Sequence, residues 1–156
     1  SKSDKDTMKK AADVLSEFGV DFKAYIISAH RAGALLKKTV EQVEKEGCQV
    51  IIAGAGLAAA LPGVIAGITT LPVIGVPLEC VSEKSNGLGG MDALLSIVQM
   101  PPQIPVATVG INSAKNAAYL ALQILALQDI ELSKKLKDFR AKLAEDAAAS
   151  GIDVKF

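Results

Sequence analysis

The residues best able to do chemistry in this sequence are a histidine and an arginine that follow a short apolar run. Ser28, His30 and Arg31 stand together as Ser-Ala-His-Arg, and His30 is the only histidine in the chain. An imidazole can give and take a proton near neutral pH, and a guanidinium offers a charged fork to phosphate or carboxylate. The pattern indicates acid–base chemistry on an anionic ligand. The alternative is a histidine held by a nearby backbone carbonyl.

Two further segments have the composition of ligand-binding turns. Ser1-Lys2-Ser3-Asp4 precedes a predicted helix, where hydroxyls and unpaired backbone N–H groups can hold a phosphate or a ribose oxygen. Ordinary helix capping by Asp4 is the alternative. Gly54-Ala55-Gly56 lets a ligand approach the main chain closely, although its spacing differs from the dinucleotide-binding fingerprint.

The composition restricts the chemistry. One histidine and two distant cysteines, Cys48 and Cys80, provide neither a Cys/His metal cluster nor a Ser-His-Asp arrangement, and no phosphate-binding Walker loop is present. The 17 basic and 17 acidic side chains give a formal net charge of +0, so we expect neither a nucleic-acid nor an anionic-membrane partner. Of the reaction types that these residues could support, proton transfer at a phosphate-bearing ligand is the one that is left.

Hydrophobic periodicity alternates between helical and strand spacing along the chain. It predicts an α/β fold, a three-layer open parallel sheet of flavodoxin-like type with an extended C-terminal helix. The predicted helices cover 4–18, 32–46, 57–70, 91–98, 116–127 and 129–149; the predicted strands cover 22–27, 49–53, 73–76 and 106–111; and a flexible loop over the site covers 79–90. Because ligands bind beyond the carboxyl ends of such strands, the loops that start at Ser1, Ser28, Gly54, Pro77 and Gly110 are expected to form the site.

The length and hydropathy bound the organisation of the chain. Its 156 residues predict one domain, 1–156, and a mean hydropathy of +0.33 suggests additional burial between subunits. The C-terminal helix, about 129–149, is expected to pack on a neighbouring subunit. We expect a cytoplasmic protein with reduced thiols, because we see no secretory signal and glycines and prolines interrupt the apolar stretch from Val50 to Leu78.

Four blocks of the sequence resemble the PurE family. They are SAHR at 28–31, AGAG at 53–56, LPGV at 61–64 and SIVQMP at 96–101, and they occur in the family's order. The resemblance begins with SKSD at residue 1 and runs to the last predicted helix. Arg31, where the branch that uses carbon dioxide typically has lysine, makes the chain similar to the bacterial mutase branch.

The resemblance implies a step of de novo purine biosynthesis that converts 5-(carboxyamino)imidazole ribonucleotide to 5-amino-4-imidazolecarboxylate ribonucleotide. It implies a homo-octamer, a small-molecule ribonucleotide substrate, and no metal or other cofactor. It also implies His30 as the catalytic acid and base. The substrate-binding residues that it implies are Ser1, Ser3, Asp4, Ser28 and Arg31, with the backbone of Gly54 and Ala55 lining a carboxylate pocket.

The sequence departs from the family pattern at three places. Ala60 stands where the family has a second histidine, and Ala32-Gly33 replaces a threonine-proline pair. Family members also carry an apolar strand before SKSD, and 152–156 is a candidate to pair in its place. Ala60 leaves a second hypothesis open, in which the chain is a catalytically impaired or engineered assembly protein on the same scaffold. A carboxylase or decarboxylase that acts on another heterocycle is a third.

Overall fold

Apolar strands separated by helices form a parallel sheet in the computed structural model of the chain, which describes residues 4–80 and 87–151. The strands are β1 (Ile51–Gly56), β2 (Val73–Leu78) and β3 (Ala107–Thr108). The helices are α1 (Lys5–Glu17), α2 (Gly33–Lys45), α3 (Leu61–Ala66), α4 (Met91–Val98), α5 (Ala114–Leu125) and α6 (Ile130–Ala149). The strands are parallel in the order β1-β2-β3.

Helices cover both faces of this sheet, because successive strand residues point to opposite sides. On one face, Ile74, Val76 and Leu78 of β2 pack in a core cluster with α1, α5 and α6. On the other face, Ala53 and Val73 pack with α2 and α3, and Ala93 and Ile97 of α4 form a smaller cluster beside them. The result is a three-layer, flavodoxin-like α/β fold, which confirms the predicted fold class.

Most predicted helices are confirmed close to their expected bounds, and their ends follow from local chemistry. Gly19 and Gly47 adopt φ angles of +74° and +89° just beyond α1 and α2, where a left-handed residue stops a helix. Asp129 caps α6, since its carboxylate accepts a hydrogen bond of 2.9 Å from the Leu132 N–H.

The apolar surface of α5 is used inside the chain. Ala114, Ala117, Ala118, Ala121 and Leu122 are all buried, and α5 packs mainly against α1. The rings of Phe18, Tyr119 and Phe139 join α1, α5 and α6, with centroids 5.4 to 6.0 Å apart. The apolar residues of α5 are therefore covered by α1 and α6 of the same chain.

The predicted strand at Phe22–Ile27 is wrong. The segment forms no ladder, and Phe22, Tyr25 and Ile26 are 43%, 52% and 60% exposed. A cavity of about 810 Å³ lies between this segment and the outer edge of β1. Strands pair only about 5 Å apart, so the open space leaves the apolar residues without a partner.

Several predicted boundaries also shift. Gly54-Ala55-Gly56 lies inside β1, which was predicted to stop at Ala53. α3 is much shorter than the predicted 57–70, because Leu57 has a left-handed φ of +54° and Gly67 follows the last turn. β3 covers two residues of the predicted 106–111, since Gly110 and the left-handed Asn112 turn the chain toward α5.

Two predictions fall on residues outside the described part of the chain. The loop predicted at 79–90 is described at 79–80 and 87–90, where it carries neither helix nor strand. Pairing by 152–156 lies outside the described residues. Within residues 4–80 and 87–151, no helix is both long and apolar enough to cross a bilayer.

Candidate active site

The Ser28–Arg31 turn holds the only histidine on a fixed backbone. The Ala32 N–H donates to the Ser28 carbonyl at 2.9 Å, and Nε of Arg31 donates to Oγ of Ser28 at 3.3 Å. Ala29 packs against the core cluster that contains Ala53 of β1. A backbone hydrogen bond and one apolar contact thus anchor the turn beside the first strand.

The His30 ring is exposed and makes no hydrogen bond within the part of the chain that the structure describes. The alternative interpretation, a histidine held by a backbone carbonyl of the described residues, is therefore wrong. Arg31 is exposed as well, with one Nε bond to Ser28 and the rest of its guanidinium directed to no protein acceptor among the described residues. Both groups are accessible to a ligand.

Asp4 lies at the N-cap position of α1, as predicted, but its carboxylate accepts no hydrogen bond from the first turn. The capping alternative is therefore not supported by side-chain geometry. Burial raises the pKa of the Cys80 thiol, and the negative charges of Asp4 and Asp92 raise it further. The start of α1, the end of β2 and the start of α4 meet at this point.

The glycines of β1 permit close packing. A Cβ on Gly54 would collide with the Met8 sulfur and lie 3.1 Å from Cδ1 of Leu78. A Cβ on Gly56 would lie 2.5 Å from Sγ of Cys80 and 2.9 Å from the Leu78 carbonyl oxygen. The bare α-carbons therefore admit α1 and the end of β2 against the end of β1. Ala55 packs against the cluster that contains Ala59, Ala93 and Ile97.

The structure brings some of the predicted site residues together and leaves others apart. Asp4 and Gly54 line the same cavity, next to Met8 and Leu61. Ser28, His30 and Arg31 lie on the turn beyond the Ile27 end of that cavity and do not line it. Ser1 and Ser3 lie outside the described residues.

Two residues near these groups received no role from the sequence. Cys80, for which the sequence predicts only a reduced thiol, is partly exposed. It accepts a backbone hydrogen bond from Leu57, and its Sγ packs against the α-carbon of Gly56. Asn112 bonds to Glu79 through its side chain. The rule that ligands bind beyond strand ends pointed to the loops that contain both residues, but no motif distinguished them.

The fold and the site together define a class of protein. It is an open-sheet α/β protein with a histidine, an arginine and an aspartate on loops and helix starts near the first strand, and the exposed imidazole is of a type that can give and take a proton near neutral pH. The sequence profile of the AIR carboxylase family matches residues 1–146. The chain belongs to this family.

Curated relatives agree with this assignment. An N5-carboxyaminoimidazole ribonucleotide mutase of Pyrococcus abyssi is 56% identical over 140 residues, which are 90% of this chain and 78% of the relative. Proteins of the same name from Saccharolobus solfataricus and Methanocaldococcus jannaschii are 46% and 50% identical and cover 98% and 99% of this chain and 94% and 93% of their own lengths.

A solved structure supports the same assignment at the level of the fold. The crystal structure of Treponema denticola PurE superposes with a TM-score of 0.80 at 28% identity, covering 96% of this chain and 90% of that chain. The resemblance to PurE proteins that the four sequence blocks indicate is therefore confirmed.

Proposed function

We propose that this chain is an N5-carboxyaminoimidazole ribonucleotide mutase, an isomerase of purine biosynthesis. It moves a carboxylate from the exocyclic nitrogen of an aminoimidazole ribonucleotide to the ring carbon. The observation that carries the proposal is His30, an exposed imidazole without a protein hydrogen-bond partner in the described residues, on a turn whose sequence matches the family.

His30 performs both proton transfers. The bond between the exocyclic nitrogen and the carboxyl carbon breaks, carbon dioxide leaves, and the imidazolium donates its proton to that nitrogen. The ring carbon then attacks the carbon dioxide, and the imidazole removes the ring proton. The histidine finishes in its starting protonation state, so one group that can give and take a proton near neutral pH is sufficient.

The other predicted residues bind the substrate. Arg31 offers a bidentate fork to the 5′-phosphate, and its bond to Ser28 fixes the direction of that fork. Ser1 and Ser3 donate hydroxyl hydrogen bonds to the same phosphate, and Asp4 accepts from the ribose hydroxyls. The backbone of Gly54 and Ala55 lines the pocket for the carboxylate and for carbon dioxide.

The proposal includes a cytoplasmic homo-octamer of single-domain chains. Its structural support is an apolar stripe on α4, formed by Met91, Leu95 and Val98, which are each about half exposed. These residues are four and three positions apart, so they lie on one face of the helix. A face of this kind is suited to burial against another subunit.

An absorbance assay for interconversion of the two carboxylated ribonucleotides tests the function on the parent chain, His30→Asn and Ala60→His. We expect turnover in the parent and a loss of about 10²- to 10⁴-fold in kcat for His30→Asn, the usual contribution of a general acid–base group. Circular dichroism and thermal unfolding check that each variant is folded. The exposed position of His30 predicts little change in the melting temperature.

The remaining outcomes separate the two hypotheses. A silent parent whose activity is restored in Ala60→His would identify an impaired mutase, since Ala60 lies at the N-cap of α3, four residues after β1 ends, at the same edge of the sheet as the proposed pocket. Silence in all three folded, oligomeric proteins would favour the assembly protein.

A further inference from the structure

Asn112 joins the end of β2 to the start of α5 through three hydrogen bonds. Its N–H donates to the Pro77 carbonyl at 2.9 Å, its Oδ1 accepts from the Glu79 N–H at 3.0 Å, and its Nδ2 donates to Oε2 of Glu79 at 3.3 Å. The backbone at Asn112 is left-handed, with φ of +58°. Asparagine tolerates this conformation better than most residues, and its amide can both donate and accept.

The residue that follows Glu79 lies against the candidate site. Sγ of Cys80 packs over the α-carbon of Gly56 and is bonded by the Leu57 backbone. Burial, and after it the charge of Asp4, which is proposed to hold the ribose hydroxyls, raises the pKa of the same thiol. A shift of Glu79 would therefore move Cys80 relative to Gly56, which follows directly on the Gly54 and Ala55 backbone proposed to line the carboxylate pocket.

We propose that Asn112 is a positioning residue for the ribonucleotide site: by holding Glu79 at two points, it fixes Cys80 against Gly56, at the end of the strand whose Gly54 and Ala55 backbone is proposed to line the pocket. The inference rests on the proposed function for the identity of the ligand. Asn112 bonds to Glu79, the residue that precedes Cys80, and acts on Cys80 through Glu79.

Two substitutions test the role. Asn112→Gly keeps the left-handed backbone without strain and removes both side-chain bonds, while Asn112→Asp retains the acceptor for the Glu79 N–H and loses the donor. Asn116→Ala on the exposed side of α5 is the matched control, since Asn116 makes no hydrogen bond within the described residues. All variants carry Cys48→Ser, so that Cys80 is the one remaining thiol.

The readouts are the dissociation constant of 5-amino-4-imidazolecarboxylate ribonucleotide by calorimetry and the rate of Cys80 alkylation by iodoacetamide. We expect Asn112→Gly to weaken binding about five- to tenfold, as two lost hydrogen bonds imply, and to accelerate alkylation severalfold. Asn112→Asp keeps the acceptor for the Glu79 N–H but turns a carboxylate oxygen toward the Glu79 carboxylate, so it is expected to change both measurements at least as much as Asn112→Gly. Asn116→Ala is expected to match the parent.

Unchanged binding or unchanged alkylation in Asn112→Gly would overturn the inference, as would a purely structural result in which only the melting temperature falls. Neither readout depends on turnover. A parent that binds the ribonucleotide without converting it would therefore contradict the proposed mutase activity and leave the positioning role supported, whereas a parent that does not bind would overturn both.

Discussion

At the scale of single residues, the groups proposed to do the chemistry are exposed on a turn, and the groups that hold them are buried or bonded. His30 and Arg31 are exposed, while Ala29 packs against the core. The Ser28 carbonyl accepts a backbone hydrogen bond from Ala32, and the Ser28 hydroxyl accepts one from Arg31. Loops that a rigid scaffold supports commonly carry binding and catalytic residues in this way. The chemistry of the site is therefore separable from the stability of the fold.

Arg31 provides a residue-scale prediction. Arg31→Lys keeps the positive charge but loses the fork and the Nε bond to Ser28. We expect KM for the ribonucleotide to rise about tenfold, equivalent to about 1.4 kcal/mol, with kcat nearly unchanged, because the interaction is made equally in the ground and transition states. Steady-state kinetics measure both parameters.

Arg140→Lys on the exposed surface of α6 is the matched control and should leave KM unchanged. A fall in kcat for Arg31→Lys with an unaltered KM would assign Arg31 to the chemical step and contradict its role in phosphate binding.

At the scale of elements, one glycine decides how tightly the sheet and α4 approach. Gly75 lies in the middle of β2, where a Cβ would collide with Cγ2 of Ile97 and lie 2.9 Å from Cγ1 of Val106. Ile97 is fully buried, and both neighbours are β-branched and stiff. α4 therefore rests directly on the β2 backbone.

Gly75→Ala tests this contact. Because the added methyl has no space, we expect the free energy of unfolding to fall by about 1–3 kcal/mol, the usual effect of overpacking a core. Chemical denaturation with urea measures the change, and the fold is expected to survive.

Gly33→Ala makes the same chemical change where nothing lies within 4 Å, at the first residue of α2. This variant should be neutral or more stable by about 0.4–1 kcal/mol, since alanine reduces the entropy of the unfolded chain. Equal destabilisation by both substitutions would show that β2 and α4 are not packed as described.

At the scale of the whole molecule, the chain buries the apolar face of α5 within its own fold and leaves apolar side chains of α4 exposed. α5 is covered by its own neighbours, so the association that the hydropathy suggests cannot depend on its buried face. α4 instead presents Met91, Leu95 and Val98 on its outer side. Assembly through this apolar stripe is the proposal that the surface supports.

Leu95→Glu tests the assembly. A charge that would be buried without a partner is strongly unfavourable in an interface, so we expect the octamer to dissociate toward smaller species. Sedimentation equilibrium should give eight times the 16.2 kDa chain mass for the parent and a lower multiple for the variant.

Ser96→Glu places the same charge on the next residue of α4, which is also exposed but lies outside the apolar stripe. This control should leave the mass unchanged. A parent that sediments at the mass of one chain would contradict the octamer directly.

The sequence predicted the layered α/β fold and most helices, because their signals are local. The apolar spacing of α1 and α6, the stops at Gly19 and Gly47 and the cap at Asp129 all act within a few residues of where they occur. The strand predicted at Phe22–Ile27 failed because strand formation depends on a partner that is distant in sequence. A run of β-formers contains no information about the distance to its neighbour.

The candidate site also has one part that the sequence indicates and another part that only the tertiary structure shows. The sequence alone determined the family and pointed to His30 and Arg31 as the candidates for catalysis and phosphate binding, since a chemically distinctive block is recognisable from the residues themselves. Only the tertiary structure showed that Asp4 and Gly54 share one cavity, that Cys80 packs against Gly56, and that Asn112 holds Glu79. These contacts join residues from separate elements, and they exist only because parallel strands bring their carboxyl ends to one edge of the sheet.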